Sequence, residues 1–231
     1  MKICCMADIH GNLIDIQPCD MVIIAGDICP AYNHNIYFQA NWLNSVFSEY
    51  INILPAKHKI VIAGNHDFIF EKKPELVNTR KYIYLKDSEA IIEGLKIWGT
   101  PWQPYFFDWA FNLYEPDLIK KWELIPNDTN ILVVHGPPYG LGDLAPRQVI
   151  QPENEEKWVD GEHTGSPGLL ERIKKVRPAL AVYGHIHEGY GKWKEPGLET
   201  VCVNAAIGYR GEHKPIYIDL QLFPKACGVS D

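Results

Sequence analysis

Seven side chains able to bind a transition metal stand at five places along the 231-residue chain: Asp8 with His10, Asp27, Asn65, His135, and His185 with His187. An imidazole, His66, and a carboxylate, Asp67, follow Asn65 directly. Imidazole nitrogen with carboxylate and amide oxygen, and no thiolate, suits manganese, iron, zinc or nickel better than a structural zinc site. One open catalytic ion needs about three protein ligands, so this set fits two ions sharing a carboxylate. Asp27 stands alone at its place and has lone pairs for both ions, which makes it the expected bridge. Asn65 adds no charge. Two divalent ions, two Asp carboxylates and a bridging hydroxide leave about +1, which favours a phosphate ester. Each place also has an ordinary reading: Asp8, Gly26-Asp27 and Gly64-Asn65 suit turns, His135 suits a satisfied core position, and a lone His-x-His suits a polar strand end. Five agreeing places are harder to dismiss than one.

Each place ends an apolar run, at residues 3–7, 21–25, 59–63, 131–134 and 179–183. Such runs read as buried strands, and ligands in α/β folds gather outside the carboxyl ends of strands. Within a strand His185 and His187 would share a face. Residues 36–54 carry Phe38, Trp42, Leu43, Val46, Phe47, Tyr50 and Ile51 at helical spacing, and Pro55 closes them. Residues 115–124 begin a second helix at Pro116, and Ser166-Pro167 caps a third that stops at Arg177-Pro178. Shorter β-like runs at 82–85, 90–92 and 95–98, the last two joined by Glu93-Gly94, predict a second and more antiparallel layer. Residues 139–165, rich in Gly, Pro and acids, read as a long surface loop. Residues 200–203 and 215–222 read as closing strands. The expectation is one domain over residues 1–222, with 223–231 as a tail.

A hydrophobic fraction of 46% and a charged fraction of 22% are those of a globular protein. The net charge of -7 argues against a broad basic face for nucleic acid, so an anionic substrate needs a local positive centre such as a metal. The six cysteines form no C-x-x-C pair and read as reduced thiols. Five residues between Lys2 and Asp8 are too few for a secretory core, and no run reaches membrane-spanning length, so a soluble cytoplasmic protein is expected.

The blocks Asp8-Ile9-His10, Gly26-Asp27, Gly64-Asn65-His66-Asp67, His135-Gly136 and Gly184-His185-Ile186-His187, in this order, resemble the calcineurin-like metallophosphoesterase superfamily. The resemblance implies an α/β fold, a four-layer α/β/β/α sandwich of two mixed sheets. It implies that Asp8, His10, Asp27 and His187 bind one metal, that Asp27, Asn65, His135 and His185 bind the other, and that His66 is catalytic. Gly99-Thr100-Pro101-Trp102-Gln103-Pro104, Trp109-Ala110-Phe111-Asn112, His135-Gly136-Pro137-Pro138 and His187-Glu188-Gly189-Tyr190-Gly191 narrow the resemblance to the metallophosphoesterase-domain-containing (MPPED-type) subgroup. Some animal members of that subgroup carry Gly in place of His185, so a chain keeping both histidines is expected to have a complete second site.

The expected activity is a phosphodiesterase on small diesters such as cyclic nucleotides, by in-line attack of a metal-bridging hydroxide. His66 would protonate the leaving alkoxide, and Asp67 would orient that imidazole or raise its pKa, unless it is simply a turn or helix-capping carboxylate. Manganese is the first choice of metal. Asn65, His66 and Trp102 are the expected substrate contacts. Trp98, Trp102, Tyr105, Phe106, Phe107, Trp109, Phe111 and Tyr114 crowd one stretch that could stack a base but is better read as packing or a subunit contact. Arg147 and Arg210 are candidate phosphate contacts, with solvated surface arginines the commoner case. A protein phosphatase fits less well, because Ile28-Cys29-Pro30 follows Asp27 where those enzymes continue Asp-Arg-Gly. A non-catalytic metal-bound scaffold would lack ligands that this chain retains.

Overall fold

Uninterrupted apolar strands must be covered on both faces, and this requirement organises the molecule. The computed structural model describes residues 1–150 and 156–221. In the first sheet β1 (Lys2–Met6), β2 (Cys19–Ala25) and β3 (Ala56–Ile62) run parallel. β4 (Ile83–Tyr84) adds a parallel edge and β15 (Ile216–Asp219) an antiparallel one, giving the order β15-β1-β2-β3-β4. The second sheet has the order β13-β14-β12-β9-β6-β5. Its members are β5 (Ser88–Ile92), β6 (Leu95–Thr100), β9 (Ile131–Val134), β12 (Leu180–Tyr183), β13 (Gly191–Trp193) and β14 (Val201–Asn204).

Three apolar layers hold four structural layers together. Ile3, Cys5, Ile23 and Ile60 of the first sheet meet Ile97, Val133, Val182 and Val203 of the second in the central layer. On the outer face of the first sheet, Cys4, Met6, Val22 and Ile24 pack under α1 (Ile36–Trp42) and α2 (Ser48–Ile53), which a π-turn at Leu43–Phe47 joins. On the outer face of the second, Leu132, Val134 and Ala181 pack under α4 (Glu115–Glu123) and α5 (Pro167–Val176). The short α3 (Phe68–Lys72) follows the loop at Asn65. Ser166 caps α5 by accepting from the Leu169 amide at 3.1 Å, as its sequence predicts.

Two expectations are corrected. The second layer is not mainly antiparallel: β6, β9, β12 and β14 are parallel, and only the edge pairs β5–β6 and β13–β14 run antiparallel. The Glu93-Gly94 turn does join β5 to β6, with both residues at positive φ as a tight hairpin requires. Nor is 139–165 simply a loop, because β10 (Leu144–Ile150) and β11 (Glu156–His163) pair within it. Pro146 sits where the register shifts between Ala145 and Arg147, and a side chain on Gly161 would overlap the Ala145 carbonyl. A ribbon interrupted by proline and closed on glycine carries no alternation to read. A minor ribbon pairs β7 (Gln103–Pro104) with β8 (Asn112–Leu113). The expected tail at 223–231 and the end of the last strand lie outside the described residues.

The parallel strands of both sheets discharge at one end. The Ala7 amide donates to Ala205 O at 2.8 Å, and the Ile207 amide to Ala7 O at 2.8 Å, stitching the two sheets at that end. Asp8 N donates to Gly26 O, His10 N to Asp27 O, and Gly184 N to His135 O, so neighbouring loops are tied to each other as well.

Candidate metal centre

The loops after β1, β2, β3, β9 and β12 carry all seven expected ligands into one crevice, where Asp8, His10, Asp27, Asn65 and His135 are nearly or fully buried. The backbone is strained there: Asp8, His10, Asp27 and His185 have φ of 52°, 43°, 52° and 68°, a region non-glycine residues rarely occupy. Clustering of such residues at ligand positions is what a site held by its surroundings shows.

Asp27 lies between two groups of atoms. Its Oδ2 is 3.9 Å from His10 Nε2 and 3.9 Å from His66 Nε2. Its Oδ1 is 3.5 Å from His135 Nε2. Beyond His10, the Nε2 atoms of His10 and His187 are 3.4 Å apart, and His187 Nε2 is 3.4 Å from Asp8 Oδ1. Beyond Oδ1, Asn65 Oδ1 lies 2.8 Å from His135 Nε2 and 2.7 Å from His185 Nδ1. Asp8 with His10 and His187, His10 with Asp27 and His66, and Asp8 with Asp27 and His135 form groups compact enough to hold a metal ion.

The donor atoms are arranged for cations. The His135 Nδ1 hydrogen donates to Ala25 O at 2.9 Å, which leaves Nε2 with a lone pair directed at the Asn65 and Asp27 oxygens. Asp8 Oδ2 accepts from the His185 amide at 2.9 Å, while buried Asp8 Oδ1 and His10 Nδ1 have no hydrogen-bond partner. A side chain at Gly64 would overlap Asp27 Oδ1, and one at Gly184 would overlap Asp8 Oδ2, so glycine at these positions leaves the carboxylates room. The residues present therefore fit divalent ions.

The charges of these side chains adjust to one another. Burial and the charges of Asp8 and Asp67 push the Asp27 carboxyl well above the usual range. Burial also opposes ionisation of Asp8, yet the His187 ring, 3.4 Å from its Oδ1, and the other nearby imidazoles bring its pKa below the usual value. Burial lowers His10, His66 and His185 to about 3. Burial acts the same way on His187, but Asp8 outweighs it and raises that imidazole.

Other expected residues are placed differently. Asp67 is fully buried, and its carboxylate accepts the amides of Cys29 at 2.8 Å, Gly64 at 2.9 Å and Ile28 at 3.1 Å. It ties the Asp27 loop to the Asn65 loop and is not the partner of the His66 ring. That partner is His34, whose Nε2 lies 2.9 Å from His66 Nδ1. Trp102 turns away from the cleft, with its indole N–H donated to Asp87 at 3.0 Å and its ring edge-on to Phe111. Trp109, in the same aromatic stretch, lines the cleft instead, with its ring 4.2 Å from that of His66. Tyr209 stacks on His10 at 4.3 Å and lies 4.7 Å from His187. His34 and Tyr209 stand outside the strand-end pattern, so the sequence offers no signal for either. The Arg147 side chain lies outside what is described, and Arg210 is exposed.

A cleft of about 690 Å³ opens over Asp27, Asn65, His66, His185 and His187, walled by Tyr105, Phe106, Phe107, Trp109 and Tyr209. Ala145, Pro146 and Thr164 of the hairpin region close another side.

Known proteins share this arrangement of chain. The profile of the calcineurin-like phosphoesterase family matches residues 1–189. Metallophosphoesterase domain-containing protein 1 of Homo sapiens is 34% identical over 250 residues, spanning 94% of this chain and 70% of that protein. A solved crystal structure superposes with a TM-score of 0.62 at 18% identity, covering 95% of this chain and 99% of the other. The phosphopantetheinyl hydrolase of Mycobacterium tuberculosis superposes at 0.53 with 13% identity, covering 91% and 90%.

Proposed function

The chain belongs to the calcineurin-like phosphoesterase family, a family of metal-dependent phosphoester hydrolases, and from that premise we propose that it is a two-metal phosphodiesterase of small diesters. The observation that carries the reading is the position of Asp27, with His10 on the side of one carboxylate oxygen and His135 and Asn65 on the side of the other. In this reading Asp8, His10, Asp27 and His187 hold one ion, and Asp27, Asn65, His135 and His185 hold the second. Manganese is the first choice; iron, zinc and nickel suit the same donors. When bound, two such ions lower the pKa of water and offset charge on phosphoryl oxygens.

The protein's own groups do the rest. Gly64 and Gly184 leave room for the Asp27 and Asp8 carboxylates, and the Ala25 carbonyl keeps His135 in the ligating tautomer. His66, beside the cleft and 3.9 Å from Asp27, delivers a proton from Nε2 to the leaving oxygen. Tyr105, Phe107, Trp109 and Tyr209 give an apolar or aromatic ester arm a wall to lie on. Such walls suit a diester, which has a second organic arm and one negative charge, and a nucleotide diester is one candidate. Residues 1–222 are taken as one domain. Among the described residues no helix is long and apolar enough to cross a membrane, and the cytoplasm is the compartment we propose.

The test is hydrolysis of bis(4-nitrophenyl) phosphate and 4-nitrophenyl phosphate by chelator-treated protein resupplied with Mn, Fe, Zn or Ni. The diester should be cleaved faster, and only with metal. No turnover with any metal would end the phosphoesterase reading for these substrates, and preference for the monoester would replace diesterase with phosphatase.

A further inference from the structure

The His66 ring is gripped from behind by a residue that no strand end supplies. We propose that His34 is a positioning residue for proton delivery, anchoring His66 Nδ1 so that Nε2 stays turned toward the reacting phosphoryl group. This rests on the phosphoesterase reading above, with His66 as proton donor.

The two ring nitrogens of an imidazole point in divergent directions, so a hydrogen bond at one sets where the other faces. His66 Nδ1 is 2.9 Å from His34 Nε2, while His66 Nε2 is 3.9 Å from Asp27 Oδ2. His34 is itself placed by its neighbours. Its ring lies 5.2 Å from that of Phe68 and edge-on, at 5.2 Å, to that of Trp109. The preceding Asn33 accepts from the Asn35 amide at 3.0 Å, and Asn35 caps α1 through the amides of Tyr37 and Phe38. The loop is thereby locked to a helix start. The backbone of His66 is fixed independently, its N–H donating to Asp27 Oδ1 at 2.7 Å and its carbonyl accepting from Gln39 at 2.7 Å. Trp109 packs on the ring at 4.2 Å, and the hydrogen bond with His34 fixes which nitrogen faces away from the cleft. Asp67 cannot do so, since its oxygens are taken by the amides of Ile28, Cys29 and Gly64.

The proton accounting closes with these groups and water. The neutral His66 ring reaches the donating state by taking a proton from solvent at Nε2, with Nδ1–H accepted by neutral His34 Nε2. Water forms the new P–O bond through its oxygen and releases one proton to solvent as the P–O bond to the leaving group breaks. The electron pair released onto the leaving oxygen takes the Nε2 proton. His66 is left neutral with Nδ1–H still on His34, and solvent returns a proton to Nε2.

Two measurements on the full chain test the assignment. In the metal-free protein, nitrogen-15 histidine NMR should show a hydrogen-bonded His66 Nδ1 proton that His34→Ala abolishes and His34→Gln, whose amide oxygen can accept, retains. In the metal-loaded protein, kcat should be compared across aryl methyl phosphodiesters from 4-nitrophenyl to phenyl. His34→Ala should lower kcat about 10–100-fold for the phenyl ester and under about 3-fold for the 4-nitrophenyl ester, whose leaving group needs little protonation, with KM unchanged. His34→Gln should recover most of the difference. A uniform loss across leaving groups, no loss, or an unaltered Nδ1 proton in His34→Ala would overturn the positioning role. An inactive wild-type chain in which the bonded proton is nevertheless seen would instead overturn the phosphoesterase reading, and the catalytic use of His34 with it.

Discussion

His185 and His187 stand two residues apart and face different partners: His185 Nδ1 lies 2.7 Å from Asn65 Oδ1, and His187 Nε2 lies 3.4 Å from Asp8 Oδ1. Strand alternation would have put them on one face. The φ of 68° at His185 and the tight helical turn beginning at His187 break it. Glycine tolerates that φ without strain, so His185→Gly should keep the fold and lose a ligand only on the Asn65 side. After reconstitution with manganese and desalting, metal analysis should give about one equivalent per chain against about two for the unaltered protein. Loss of both equivalents, or of neither, would contradict the two-sided arrangement.

Asp27→Asn separates metal binding from folding by the sign of its effect. Without metal, burial beside Asp8 and Asp67 disfavours a charged Asp27, so a neutral amide should leave the thermal midpoint unchanged or raise it. With metal the order should reverse. Binding that stabilises the unaltered protein by about 2.7 kcal/mol at a hundredfold excess over Kd should be largely lost. Thermal unfolding with chelator and with manganese measures both arms, and hydrolysis should fall at least about 100-fold.

The ligand-bearing loops were legible because each ends a buried strand, and a strand end is announced by the switch from an apolar run to Asp, Asn, Gly or His. Parallel packing then brings such ends together, so the grouping of Asp8, Asp27, Asn65, His135 and His185 follows from the apolar runs alone. The wall of the cleft was not legible. Trp102 and Trp109 sit in one aromatic stretch with no period, and which indole faces His66 is decided by Asp87 taking the Trp102 N–H. The roles of His34 and Asp67 depend on contacts between segments about 30 to 40 residues apart that no local pattern encodes. The β10–β11 ribbon escaped for a local reason, since a proline at its bulge and a glycine opposite remove the alternation that marks a strand.

The metal-free protein should lose stability as pH falls from 6.5 toward 5. His10, His66 and His185 are held near 3 in the folded chain, so the unfolded chain binds more protons over this range and stability rises with pH. Asp27 and Asp67, whose folded pKa values burial raises, work in the opposite direction, while His34, which burial also lowers, adds to the three imidazoles. His187, raised above its ordinary value, contributes stability that is fully present below pH 6.5 and is lost only as pH rises beyond it. Each kcal/mol lost should lower the midpoint by about 2–4 °C for a chain of this size. A flat or inverted profile between pH 7 and 5 in chelator would show that these imidazoles are not held neutral.

Asp67→Asn decides between a carboxylate that acts in the reaction and one that holds loops together. The buried carboxylate accepts the amides of Ile28, Cys29 and Gly64, the last two at 2.8 and 2.9 Å. An asparagine offers one oxygen where two are used and turns an N–H₂ toward backbone donors, leaving a buried group unsatisfied at about 1–3 kcal/mol. The thermal midpoint should therefore drop by roughly 2–12 °C. At a temperature where the variant is fully folded, kcat should stay within about 3-fold, because the His66 ring is held by His34 and not by this carboxylate. A stable variant with kcat reduced 100-fold or more would restore Asp67 to the reaction. Chemical denaturation and steady-state hydrolysis on the same preparation distinguish the outcomes, since a loosened loop lowers the midpoint and a lost catalytic group lowers the rate.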